Sequence, residues 1–419
     1  MASPSFSAPK GTRDVLPAES GRWAALIARF ATLADRAGYG LVVSPMFEDL
    51  DVFRRVGDAT DIVTKEMYDF VDKGGRHVAL RPEGTASVVR AYVQHRPTDH
   101  PWKAWYAAPN FRYERPQAGR YRQHHQLGVE ALGSADPDLD VEVIALQAEL
   151  YRSLGLTRVD LLVNSMGTPA DRAAYARALG AWLTDRIDDL DPADRATVEV
   201  NPMRVLDSKR EQTRAVTAGA PRTIDSLSAE ARAHFERVQE GLRDLGIDHR
   251  IEPRLVRGLD YYTHTTFEFQ ALALESAQNA IGGGGRYDGL AEALGGPATP
   301  GVGFGSGIER ILLACDAEGV FPAPEHRVDV FVVDVVDGTH ARRLTDELRR
   351  AGLRADRAFD GRSMKSQMKS ADRSGAVVAV IVGDDEAAAG EVTVRELRDG
   401  TDQQRVPVGE LVDHLRKRL

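Results

Sequence analysis

Residues 110–126 read NFRYERPQAGRYRQHHQ. They continue the apolar, strand-like text WYAAP at 105–109, so charges stand inside what otherwise reads as a buried strand. Charges in that position need partners or a ligand. Four arginines, Arg112, Arg115, Arg120 and Arg122, face one acid, Glu114, with aromatic rings between them. Guanidinium forks suit bidentate phosphate contacts, and the rings suit base stacking. Alone, the stretch also reads as a solvated hairpin, so its neighbours in the chain carry the decision.

Three further clusters are informative. LRPEGT, 80–85, sets Glu83 and Thr85 in an irregular turn, and on its own reads as a surface loop. LVRGLDYYTHTTFEF, 255–269, puts Arg257, Asp260, Tyr261 and Tyr262 at the head of a buried-looking strand, where a structural ion pair would also account for the charges. TPGVGFGSGIER, 299–310, runs from strand into helix and places Arg310 in an early helical turn behind glycines, a position able to face a phosphate. Neither GxxxxGK[ST] nor GxGxxG follows a strand, so any use of ATP proceeds without a P-loop.

Around these clusters the organisation is regular. Trp23, Ile27, Phe30, Leu33 and Ala37 recur at helical spacing before Gly38, predicting an amphipathic helix that packs on a sheet. A helix at about 139–154 closes on Gly155, and LTRVDLLVN reads as a buried strand. From about 169 to 246 the text turns Ala-, Arg- and Asp-rich, with Ala231, Phe235, Val238, Leu242 and Leu245 on one helical face; this predicts a helical insertion. Two-residue alternation then returns, with Thr263, Thr265, Phe267 and Phe269 sharing a face. Beyond a boundary near 325 the pattern is strand (VDVFVVDVV), helix (ARRLTDELRRAG), short strand, helix, two strands (AVVAVIVG, EVTVREL) and a final helix. That C-terminal part carries 17 basic and 17 acidic residues from 327 to 419, with 10 basic against 5 acidic between 342 and 373, a polyanion-facing strip.

Composition bounds the reading. The 419 residues are 42% apolar and 28% charged, with no run long enough to cross a bilayer, which predicts a soluble multidomain protein with no membrane role. The opening MASPSFSAPK has neither a signal core nor an Arg-rich amphipathic pattern, so the expected address is cytoplasmic. The single cysteine, Cys315, allows no internal disulfide and reads as core filler. The net charge of −9 counts against a general polyanion binder and leaves room for local basic surfaces.

Taken in chain order, the clusters resemble the class II aminoacyl-tRNA synthetases and, within them, the histidyl-tRNA synthetase family. SPMFEDLDVFRRVGDATDIVTKEMYDF (44–70) is similar to the class's motif 1, FRYERPQAGRYRQHHQLGVE (111–130) to motif 2, and TPGVGFGSGIER to motif 3. LVRGLDYY and GGRYDGL (284–290) resemble two histidine-specific signatures, and PKGTRD (9–14) completes a likeness over almost the whole chain. The resemblance implies an α+β fold: an antiparallel sheet flanked by helices in a catalytic core, 1–325, and an anticodon-binding-like α/β domain, 326–419.

The resemblance also assigns roles. Glu83 and Thr85 would take the amino group of histidine, and Gln126, Glu130, Tyr261 and Tyr262 the amino acid and its imidazole. Arg112 would hold the ATP α-phosphate and Arg310 the γ-phosphate, with Arg257 bridging the α-phosphate and the histidine carboxylate; these three are the implied catalytic groups. Glu114 and His124 would complete the ATP site, and Gln117, Arg120 and Arg122 would face the tRNA acceptor end. ATP would be a substrate carrying its own Mg2+, with no metal site in the protein. The implied partners are L-histidine, tRNA(His) and a second copy of the chain, paired through motif 1. Two positions depart from the family pattern: His124 stands where phenylalanine is usual, and Ala118 where lysine is common. The alternative reading is a non-catalytic, histidine-binding paralogue that regulates ATP phosphoribosyltransferase; a third, a plain RNA-binding protein, leaves LVRGLDYY and motif 3 unexplained.

Overall fold

In a computed structural model the residues described are 6–57, 62–206, 208–256, 261–275, 279–324, 328–398 and 403–419. They divide into two units, Met1–Ala323 and Pro324–Leu419.

The first unit contains β1 (Gly40–Leu41), β2 (Phe47–Asp49), β3 (Tyr68–Val71), β4 (His77–Leu80), β5 (Trp102–Phe111), β6 (Gln123–Leu132), β7 (Val159–Ser165), β8 (Arg250–Ile251), β9 (Thr263–Ala271), β10 (Ala280–Arg286) and β11 (Gly301–Gly307). Eight of these form one sheet in the order β1-β5-β6-β11-β10-β9-β7-β8, and β2-β4-β3 make a small second sheet. From β5 to β7 every pairing in the large sheet is antiparallel, while the two-residue edge strands β1 and β8 pair parallel. β5 and β6 are zipped from Trp102↔Leu132 to Phe111↔Gln123, so the Arg-rich stretch is the tip of the sheet's central hairpin.

Helices cover one face of the large sheet. Pro17–Arg36 begins with Pro17 in its first turn, and its buried line is Trp23, Leu26, Phe30 and Ala34. Ile27 and Leu33, expected at the centre of that face, are its half-buried flanks. Helix Pro137–Ser153 is capped by the Asp136 carboxylate, which accepts from the Asp138 amide at 3.0 Å. Leu26, Phe30, Ile144, Leu150, Val238 and Ile311 pack from four helices onto Leu127, Val129, Phe267 and Phe304 of the sheet. Fully buried Cys315 belongs to the same core.

Between β7 and β8 the chain is helical, from Pro169–Thr184 through Ala229–Asp244. Leu245 does not join the buried face of Ala231, Phe235, Val238 and Leu242: it is the C-cap residue and exposed, and the chain turns at Gly246 (φ 65°) to bury Ile247 instead.

The second unit has β12 (Val330–Asp334), β13 (Ala355–Arg357), β14 (Val378–Val382), β15 (Glu391–Glu396) and β16 (Gln403–Pro407), in the order β13-β12-β14-β15-β16. β16 and the short helix Asp384–Ala389 go beyond the sequence pattern. β16 is an edge strand in which Val406 alone is buried, so it lacks an apolar alternation to announce it.

Candidate active site

Side chains alternate along a strand, and Leu127, Val129 and Ala131 of β6 belong to the helix-covered core. His124, Gln126, Gly128 and Glu130 therefore project from the other face, in a row about 20 Å long at roughly 3.3 Å per residue. Directly opposite, β11 offers Gly303 against Glu130 and Gly305 against Gly128, and β10 offers Gly285 and Gly283 against those two. Four glycines on adjacent strands leave a floor without side chains. At Gly303 this is a strict requirement, because an added Cβ would overlap Oε2 of Glu130.

One end of the row is acidic and buried. The Glu83 carboxylate accepts from the amides of Thr85 (2.6 Å) and Ala86 (2.8 Å), at the start of helix Thr85–His95. Thr85 Oγ1 donates at 2.7 Å to Oε1 of Glu130, the Tyr106 hydroxyl reaches the same oxygen at 3.4 Å, and the Tyr287 hydroxyl donates to Oε2. Burial raises the pKa of Glu83 against the pull of those two amides. Burial likewise pushes Glu130 up to about 8, opposed by the Tyr287 and Thr85 hydroxyls and reinforced by Glu83. Asn110 donates to Gln126 Oε1 at 2.8 Å and so orients that amide. The Tyr261 and Tyr262 rings lie 4.7 Å apart, and Tyr261 meets Tyr287 at 5.8 Å. Burial, then Glu83, hold the Tyr261 hydroxyl well above its ordinary value, so it stays a neutral donor.

The other end is basic. Arg112 Nε donates to the Pro82 carbonyl at 2.9 Å, tying the hairpin to the LRPEGT turn. Arg310, third residue of helix Ile308–Glu318, donates from Nε to Gly119 O (3.2 Å) and from Nη1 to Ala280 O (2.8 Å). Glu114 pairs with Arg120 at 2.8 Å and lies 3.8 Å from Arg112. Burial, then repulsion from Arg120, lowers the Arg310 pKa. His124 sits among these groups: burial first, then Arg112, His125, Arg310 and Arg120, hold its imidazole well below the usual range and hence neutral.

The hairpin tip turns at Gln117–Arg120, whose amides and carbonyls bond each other at 2.9–3.0 Å, with Gly119 at φ 68°. Gln117 and Arg120 are exposed there. Arg122 points away from the tip, with its guanidinium 3.7 Å from the Tyr113 ring centroid and its amide on Gly11 O at 2.8 Å. Arg112 and Arg310 both act on His124 at one end of the row; Arg257, with Asp260, lies outside the described residues.

Several site residues escaped the sequence reading. Tyr106 and Asn110 lie in strand text that looks like core, and only the pairing of β5 with β6 turns them toward Gly128 and His124. On the helix-covered face behind the row, Glu309 accepts from the His125 amide at 3.0 Å and faces Nδ1 of that ring at 3.1 Å, and Trp23 packs edge-on to the same ring at 4.8 Å. Arg81, 3% exposed, donates to Pro109 O at 2.8 Å and to Ser44 Oγ at 2.8 Å, locking the turn that carries Glu83. Among the described residues no cluster of three or more His, Cys, Asp or Glu side chains is arranged to hold a metal, and no helix is long and apolar enough to cross a membrane.

The sequence model described as histidyl-tRNA synthetase matches residues 11–311. This chain belongs to the histidyl-tRNA synthetase family. Residues 329–418 match a second family, the anticodon binding domain. The chain is 47% identical over 421 residues to the histidine–tRNA ligase of Geobacillus kaustophilus, covering 99% of each, and 49% identical over 416 residues to that of Moorella thermoacetica, covering 98% of each. Among solved structures it resembles apo Staphylococcus aureus histidyl-tRNA synthetase (TM-score 0.83, 37% identity, 98% of this chain and 100% of that one). A Bacillus halodurans protein described as an ATP phosphoribosyltransferase regulatory subunit/histidyl-tRNA synthetase shares the fold, at TM-score 0.66 and 21% identity over 91% of this chain and 100% of that one.

Proposed function

We propose that this chain is a histidine–tRNA ligase: it joins L-histidine to ATP as histidyl-adenylate and then transfers the histidyl group to the 3′ end of tRNA(His). The observation that carries the reading is the bare glycine floor with guanidinium groups at one end and buried carboxylates and hydroxyls at the other. A nucleotide phosphate suits the first end, and an amino acid with a polar ring suits the second.

In this reading Glu83 and Thr85 take the α-amino group, Gln126 lies alongside, and Glu130, Tyr261 and Tyr262 take the imidazole. A pocket built to pair both ring nitrogens rejects apolar amino acids by about 10⁴, since its own buried groups would go unpaired. Arg112 steadies the α-phosphate, Arg310 the γ-phosphate, and Arg257 spans the α-phosphate and the histidine carboxylate. Glu114 fixes the arginines, and the neutral His124 ring stacks on adenine in place of phenylalanine. The histidine carboxylate oxygen bonds to the α-phosphorus as its bond to the β-phosphate oxygen breaks and pyrophosphate leaves. Pre-set guanidinium groups stabilise the charge gathered in that transition state. Mg2+ arrives on the nucleotide, since the phosphate end is lined chiefly by arginines and Glu114 is already paired with Arg120.

Gln117, Arg120 and Arg122 serve the tRNA acceptor end, with Arg122 acting by bracing the hairpin on Tyr113, and the C-terminal unit takes the anticodon. Leu41, Val43, Met46 and Phe47 form an exposed apolar strip in and beside β1 and β2; a homodimer through this motif 1 region would cover it. The enzyme works in the cytoplasm. The regulatory alternative is disfavoured by the retained match to an anticodon binding domain and by arginines held ready at the phosphate end. The test is histidine-dependent ATP–pyrophosphate exchange followed by charging of tRNA(His). Activity in both supports the ligase, exchange without charging contradicts the second step, and histidine binding without exchange supports the regulator.

A further inference from the structure

Within the GGRYDGL signature, Gly285 belongs to the bare floor and Tyr287 reaches Glu130. Tyr287, its fourth residue, is fully buried, and its amide is pinned to Gly301 O at 2.7 Å. The hydroxyl therefore approaches Glu130 from a backbone fixed to β11. An ionised carboxylate offers about four acceptor positions. On Glu130 three are directed at hydroxyls, those of Thr85, Tyr106 and Tyr287, which leaves one for a ligand N–H.

We propose that Tyr287 is a positioning residue: its hydroxyl locks the rotation of the Glu130 carboxylate and favours its ionised form, so that the remaining acceptor position receives one imidazole N–H of histidine. The proposal rests on the assignment of Glu130 to the imidazole made above. Burial and the neighbouring Glu83 both work against ionisation of Glu130. Hydroxyl donors work for it, and Tyr287 is the first of these. The groups that act on Glu130 are known from each surrounding element. Glu83 and Thr85 come from the turn, Tyr106 from β5, Tyr261 from ahead of β9, and Tyr39 from beyond the end of the first helix. β11 contributes Gly303, which has no side chain. Tyr287 itself cannot share the charge, because burial and Glu130 hold its phenol well above the ordinary value. Protonated Glu130 presents a hydroxyl where the ligand needs an acceptor, and histidine binding weakens as pH falls.

The experiment compares the full-length enzyme with Tyr287→Phe by histidine-dependent ATP–pyrophosphate exchange from about pH 6 to pH 9. Loss of one donor to a buried charge should raise KM for histidine about tenfold at neutral pH and leave KM for ATP within about twofold. The midpoint of the rise of kcat/KM for histidine should move alkaline by about one unit, so that the defect shrinks at high pH. Tyr106→Phe, whose bond is longer, should shift the midpoint less. A rise in KM for histidine that is equal at every pH, or a parallel loss for ATP and histidine, overturns the proposal, as does an unshifted midpoint. If the unaltered enzyme itself shows no histidine-dependent exchange, the ligase reading fails first; if exchange is present and only the shift is missing, the fault lies with Tyr287 alone.

Discussion

Two arginines held against the same sheet, one fully buried and one half-buried, are handled in opposite ways. Arg286, at the end of β10, is fully buried, and all of its nitrogens are engaged. Nε and Nη2 donate to the buried Asp140 carboxylate, Nη1 to Ser134 O (2.9 Å) and Asp288 (3.3 Å), and Nη2 also to Asp136 O (3.2 Å). Arg310 is held by two carbonyls along one edge, and among the described residues no acceptor takes its Nη2. The pKa directions diverge accordingly. Burial pulls Arg286 down but Asp140 more than restores it, whereas burial and Arg120 leave Arg310 lowered. A charge completed by its own fold supports structure; a charge held in place and only partly offset, by Glu114 and Glu268, is prepared for a ligand of opposite sign.

This contrast can be broken most forcefully at Arg286. Arg286→Ala leaves the buried Asp140 carboxylate with His234 at 3.5 Å and should cost about 3 to 5 kcal/mol in urea unfolding, with any activity loss following from unfolding. Arg310→Ala should do the reverse: exchange falls on the order of 10²-fold while the unfolding midpoint stays close to that of the parent. Comparable stability losses in the two variants would erase the distinction. At the acidic end, Glu130→Gln should raise KM for histidine on the order of tenfold and leave KM for ATP unchanged in steady-state exchange. The sign with pH is fixed by the raised pKa. Ionised Glu130 is the accepting form, so kcat/KM for histidine should climb as pH passes upward through about 8, and Glu130→Gln should flatten that climb. The smallest effect belongs to Arg13, whose pair with Glu19 at 2.5 Å is partly exposed. Arg13→Ala should shift stability by about 1 kcal/mol or less in the same unfolding assay.

What the sequence discloses follows from which forces act locally. Helix periodicity, glycine stops and the alternation at 263–269 mark the elements, because burial of one face repeats along the chain. The charged stretch 110–126 announces the site because four arginines against one acid cannot all be completed within a core. Tyr106 and Tyr287 are invisible by the same logic. Each reads as an ordinary aromatic, and its polar task is created by pairing: of β5 with β6 for Tyr106, and of the Tyr287 amide with Gly301 for Tyr287. Leu245 misled for a related reason: the helical period runs on past the residue where the backbone turns. The bare floor was legible only as glycine-rich text, since direct opposition of Gly303 with Gly285 and of Gly305 with Gly283 depends on pairing.

The most direct test of the central claim is a crystal structure with a non-hydrolysable histidyl-adenylate analogue. The account predicts the analogue lying along the row on β6, its phosphate against Arg112 and its imidazole N–H on Glu130, with the linking atoms over Gly303 and Gly305. An analogue bound in the reverse direction, or one resting off the glycine floor, would contradict it.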